Sequence, residues 1–149
     1  MKKFLLIFAF ILTSCGYQPI YVNKSLNTLE FAKINIDGDR EINKKIINSI
    51  SFKENEFNDT LNNLLIKSSY EIQETSKNSK GQVQSYRSII TVKLIINNNK
   101  ETILNKNFLK DFSYANKDNK FELVQYQNDI KNNLINKIIE DIVLFINLQ

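Results

Sequence analysis

The chain has no histidine and no tryptophan, and its 149 residues include one cysteine, one proline, one methionine and three glycines. Each shortage removes a class of chemistry. Without histidine there are no imidazole metal ligands and none of the Ser-His or Cys-His pairs that activate nucleophiles. A lone cysteine cannot close an internal disulfide, so an exported form must be stabilised by packing alone. No Gly-rich phosphate loop is present. No apolar run approaches the roughly 20 residues that a membrane-spanning helix needs.

The N-terminus is more informative. Lys2 and Lys3 precede an apolar run from Phe4 to Leu12, which closes on Leu12-Thr13-Ser14-Cys15. This is the layout of a signal peptide. The tetrapeptide resembles the lipobox of bacterial lipoproteins, a branched apolar residue and two small residues before an obligatory cysteine. In that pathway the thiol is the nucleophile that accepts diacylglycerol, and the small residues let the extended chain enter a dedicated peptidase. The expectation is that residues 1–14 are removed and that Cys15 carries the lipid. The resemblance implies three acyl chains. At about 0.8 kcal/mol per buried methylene, even two hold a protein on a membrane. Gly16 follows the cysteine in place of the aspartate that favours inner-membrane retention, so the expected address is the outer membrane, lipid-anchored and facing the periplasm.

Loss of Lys2 and Lys3 with the leader lowers the formal charge of +4 by two. The case for a nucleic-acid partner falls with it, and none is expected. Residues 15–28 have no sustained period and read as a lipidated tether. Residues 29–149 are the right length for a single domain.

Within that domain, alternation from Leu29 to Asp37 predicts a strand ended by Gly38. Asp39 then caps a short amphipathic helix carrying Ile42, Ile46, Ile47 and Ile50. Residues 51–59 are polar around Phe52 and Phe57 and read as a surface loop. A second strand follows from about Asp59 to Thr75, with Leu64, Ile66, Ser68, Tyr70 and Ile72 on one face. The segment Ser76-Lys77-Asn78-Ser79-Lys80-Gly81 is a polar hairpin tip. The next strand, Val83 to Asn97, carries Tyr86, Ser88, Ile90, Val92, Leu94 and Ile96 on one face. Asn97-Asn98-Asn99-Lys100 makes a second turn. A fourth strand presents Leu104, Phe108, Phe112 and Tyr114, interrupted by Lys106 and Lys110 as an edge strand would be. From about Asn119 the period changes to three or four residues, through Leu123, Tyr126, Ile130, Leu134, Ile138, Ile142 and Phe145. A long helix is predicted, and its apolar stripe needs a sheet to cover. The expected fold is α+β, with two helices packed on one face of a four-stranded, mainly antiparallel sheet.

Candidate chemistry is sparse. The carboxylate pairs Asp37 with Asp39, Glu54 with Glu56, and Glu140 with Asp141 lie in no setting that raises a pKa, and solvated charge accounts for them better than a glycosidase pair. No enzyme activity, cofactor or metal site is expected. Binding remains. Lys77 and Lys80 sit on one hairpin tip and Lys100 on the other turn, with Lys117 and Lys120 before the long helix. Lysines of this kind meet phosphate as mobile point charges, so Lys77, Lys80 and Lys100 are the candidate contacts for a phosphorylated glycolipid.

The chain as a whole resembles the lipopolysaccharide-assembly lipoprotein LptE family. The likeness starts at Cys15-Gly16-Tyr17-Gln18-Pro19-Ile20-Tyr21 and runs through strand, helix and hairpins to Phe112-Ser113-Tyr114-Ala115-Asn116 and the final helix. It implies a plug seated in an LptD-type outer-membrane β-barrel, helping that barrel assemble and helping lipopolysaccharide reach the outer leaflet. Its partners would be that barrel, lipopolysaccharide and the outer membrane itself. The alternative from the residues alone is an envelope scaffold or barrel-assembly accessory lipoprotein that does not bind lipopolysaccharide.

Overall fold

A computed structural model describes residues 29–58, 60–98 and 101–148. The expected leader, Cys15, the tether and Lys100 lie outside the described residues.

The first predicted strand is divided. β1 (Glu30–Phe31) and β2 (Lys33–Gly38) are separated by a bend at Ala32, because the two pieces pair with different partners. β1 lies parallel to β3 (Lys53–Glu54), whereas β2 lies parallel to β4 (Asn63–Lys77). The predicted surface loop therefore contains a strand. Phe52 within it is buried, edge to face against Phe31 at 5.5 Å, while Phe57 is fully exposed.

A tight turn links β2 to α1 (Arg40–Ile50). Gly38 has φ +84°, and a Cβ there would stand 1.8 Å from the Ser68 carbonyl oxygen. Only glycine fits so close to another backbone in that conformation. The Asp39 amide donates to that same oxygen at 3.1 Å, and the Asp39 carboxylate accepts from the amides of Glu41 and Ile42. The predicted cap is thus in place. Ile42, Ile46 and Ile50 are fully buried beneath the helix.

The main sheet is completed by β5 (Val83–Asn97) and β6 (Thr102–Ala115) in the order β2-β4-β5-β6, with only the β2–β4 pair parallel. That parallel pair needs a crossover, which α1 supplies. Two adjacent hairpins provide the rest. α2 (Lys120–Asn147), capped by Asn119, lies across β5 and β6. Its Ile130, Leu134, Ile135, Ile138 and Ile142 meet Ile90, Val92 and Leu94 of β5 and Phe108 of β6 in one buried cluster. Each such aliphatic side chain contributes about 1.5–3 kcal/mol by burial. The result is the predicted α+β arrangement, with both helices on one face.

β6 is an edge strand, as its lysines imply, but they do more than guard the edge. Lys110 pairs with Asp141 of α2 at 2.7 Å, and Lys106 stands 5.3 Å from the ring of Phe145. Both therefore tie the edge to the helix. The other face of the sheet, with Leu65, Ile89, Lys93, Ile95 and Leu109, has no covering element among the described residues.

Candidate functional site

The β4–β5 tip is organised by one side chain. Asn78 Oδ1 accepts from the amides of Lys80 and Gln82, both at 3.0 Å, and Asn78 Nδ2 donates to Gln82 Oε1 at 2.9 Å. Asparagine suits this position because its short amide reproduces a backbone turn. Gly81 takes φ +78° in the same turn.

The two tip lysines differ. Lys77 Nζ is 2.9 Å from Glu74 Oε2, and this hydrogen bond, with the attraction behind it, raises the ammonium pKa above its ordinary value. Its charge is largely answered locally. Lys80 is exposed and has no ion partner among the described residues. The third candidate, Lys100, lies outside the described residues, and Asn98 and Glu101, on either side of it in the sequence, lie at the other end of β5. At about 3.3 Å per residue the 15 residues of β5 span roughly 50 Å. One small ligand cannot meet both ends.

What the fold does bring toward the tip is the loop before α2. The Asn116 amide donates to the Gln84 carbonyl at 2.7 Å and its side chain donates to the Val83 carbonyl at 2.8 Å. This draws Lys117 and Lys120 against β5, across a cleft of about 460 Å³ shared with Gln82, Gln84 and Tyr86. Lys117 Nζ lies 4.6 Å from the ring of Tyr126, a cation–π contact that keeps the ammonium near the surface. Gln82, Gln84 and Asn116 carry no periodic signal in the sequence. Their amide donors and acceptors suit sugar hydroxyls.

Beneath the tip, Tyr70, Ser88 and Tyr114 form a hydroxyl chain with steps of 3.2 and 3.1 Å. Burial raises the Tyr70 pKa despite its bond to Ser88, which favours its protonated hydroxyl. Tyr114 also stacks on Tyr86 at 5.8 Å and meets Tyr126 edge to face at 5.7 Å. This polar but satisfied layer rests the hairpin on α2.

Six of the described carboxylates, Asp37, Asp39, Glu41, Glu74, Asp111 and Asp141, are engaged by cations. Asp37 pairs with Lys67 at 3.0 Å, which lowers its pKa. Burial pushes Asp39 upward, but the Ile42 amide and Lys131 outweigh it, and the net shift is down. Lys131 is held by Asp39 at 3.3 Å and Glu41 at 2.7 Å. Burial alone would lower its pKa, yet the two carboxylates raise it. This bridge joins α1 to α2 across ninety residues of chain, so no spacing rule reveals it. Asp141 pairs with Lys110, and Asp111 with Arg87. The Asp111 carboxyl is lowered by that bond. Asp37, Asp39 and Asp111, whose pKa values are lowered, are thereby held as anions. Among the described residues no group of three His, Cys, Asp or Glu side chains could hold a metal, and no helix is long and apolar enough to cross a membrane.

No protein-family description matches the sequence, and no curated protein matches it either. The fold does match solved structures. The rare lipoprotein B from Shewanella oneidensis superposes with a TM-score of 0.51 at 14% identity, covering 78% of this chain and 98% of that one. A minor lipoprotein from Acinetobacter baumannii gives 0.52 at 12% identity, covering 76% and 89%. The lipoprotein B structure from Nitrosomonas europaea gives 0.50 at 10% identity, covering 84% and 88%. At these identities the likeness is one of fold, and most of this chain shares it with three proteins named as lipoproteins.

Proposed function

We propose that this chain is an exported lipoprotein, anchored through Cys15 at the outer membrane, that serves an LptD-type β-barrel as a plug and assembly partner and assists lipopolysaccharide transport. The observation that carries this reading is the shared fold with proteins named as lipoproteins, on a chain whose own N-terminus ends in Leu12-Thr13-Ser14-Cys15. It acts by binding, without turnover. The tip lysines, above all Lys80, and the amide-lined cleft beside Lys117 supply phosphate and sugar contacts of the kind a glycolipid headgroup needs.

Two experiments test it. Labelled fatty acid should enter the chain in a Gram-negative host and be lost in Cys15→Ala. The tagged protein, extracted from outer membrane in detergent, should bring down a barrel of the LptD type in a stoichiometric complex. Recovery without such a barrel sinks the plug assignment and leaves the envelope scaffold as the better reading.

A further inference from the structure

β5 carries large apolar side chains on both of its faces. In an antiparallel sheet with one solvated face the outward positions are normally polar, but here Ile89 and Ile95 stand among Arg87, Thr91 and Lys93 on the face opposite the core residues Ile90, Val92 and Leu94. The pairing register sets Glu71 and Asp111 beside Ile89, and Lys67 and Asn107 beside Lys93, but it also adds apolar neighbours to this open face. Leu65 stands beside Ile95, and Leu109 beside Thr91. Leu109 is 57% exposed.

We propose that a second copy of this chain packs on this face, sheet to sheet, about the row Ser69, Thr91 and Leu109. Two features select a copy of the same chain. The first is area. At about 4.8 Å between strands and 3.3 Å per residue, the face presents on the order of 800 Å², close to the roughly 800 Å² per partner of a standard interface. The second is charge. On one side of the row, Lys67 is answered by Asp37, which leaves Lys93 without an ion partner among the described residues. On the other side, Asp111 is answered by Arg87, which leaves Glu71. Lys93 and Glu71 each lie two residues from the central row, on adjacent strands and in opposite directions.

A two-fold axis along that row reverses the strands of the second copy and carries each Lys93 toward the other copy's Glu71. The offset that remains is one strand spacing, about 4.8 Å, which the long lysine and glutamate side chains span. The face is thus self-complementary, as a two-fold interface requires. This inference does not rest on the barrel assignment.

The test uses the full chain with Thr91→Cys in native membranes. Sheets about 10 Å apart put the two thiols beyond a direct disulfide, so the probe is a short bismaleimide. The parent chain and Gln125→Cys, on exposed α2 surface, measure background. A product of twice the chain mass is expected from Thr91→Cys alone. Adding Lys93→Glu should reduce its yield about tenfold through like-charge repulsion with Glu71, and adding Glu71→Lys as well should restore it. The pairing is overturned if Thr91→Cys gives no more dimer than the controls, if the yield ignores both charge changes, or if the thiol is captured only by a different protein.

Discussion

The two halves of the sheet are built on different terms. From Asn63 to Ser68, β4 has β2 on one side and β5 on the other and is roofed by helix, and its inward side chains Leu64 and Ile66 are buried. Beyond Ser68 it pairs with β5 alone, and every residue from Glu71 to Lys77 is exposed. Apolar burial holds the first half. Hairpin register, the Tyr70–Ser88–Tyr114 chain and the Asn78 and Asn116 bonds hold the second. A region held by backbone pairing can change its outward side chains at little cost, so it is the half free to meet a ligand.

The contrast can be broken from the buried side first. Ile138→Ala, at a fully buried position, should cost about 2–5 kcal/mol, read from urea unfolding at unchanged slope. Gly38→Ala should cost on the order of 2–3 kcal/mol, since it combines a left-handed backbone with a clash against Ser68. Amide exchange should then quicken across β2 and residues 63–68 while the hairpin beyond keeps its protection. Equal loss in both halves would erase the distinction.

Asp39→Ala should cost about 1 kcal/mol through the lost helix cap, and its effect has a predictable pH dependence. The Asp39 carboxyl is held below 3.8 in the folded chain, so its contribution is present above that value and disappears as pH falls through the folded pKa. Lys131 runs the other way. Its ammonium is held above 10.5, so its contribution is complete below that value and is lost as pH rises through the folded pKa. Unfolding midpoints of parent and variant should converge in acid.

The smallest stability effects belong to the tip. Lys77→Ala and Lys80→Ala should each stay within about 0.5 kcal/mol of the parent. They sharpen the comparison through binding. Loss of Lys80 should weaken lipopolysaccharide binding more than loss of Lys77, whose charge Glu74 already answers. Charge reversal at both positions with no change in that binding would remove the tip from the site.

The sequence reveals the elements that have a period. β5 places a core side chain at every second position from Ser88 to Leu94, α2 keeps its stripe from Leu123 to Phe145 for about six turns, and Asp39 stands where a cap belongs, so these are readable without coordinates. The β1–β3 pair is not, because two-residue strands have no period to detect and are defined only by each other. The same holds for the site. Lys77 and Lys80 are visible as tip residues, but the Glu74 bond that separates their roles depends on a register shift between Glu74 and Lys77. The cleft beside Lys117 depends on Asn116 reaching two β5 carbonyls.

That strand length also sets a distance for the whole molecule. The chain arrives at Leu29 beside the start of β4, and the tip lies beyond the end of β4, 15 residues on, or roughly 50 Å away. A bilayer's hydrocarbon core is about 30 Å thick. Wherever Leu29 is held, the tip works at a fixed reach longer than a membrane is thick, and lengthening or shortening the β4–β5 hairpin in steps of two residues per strand would change that reach without turning a single side chain to the wrong face.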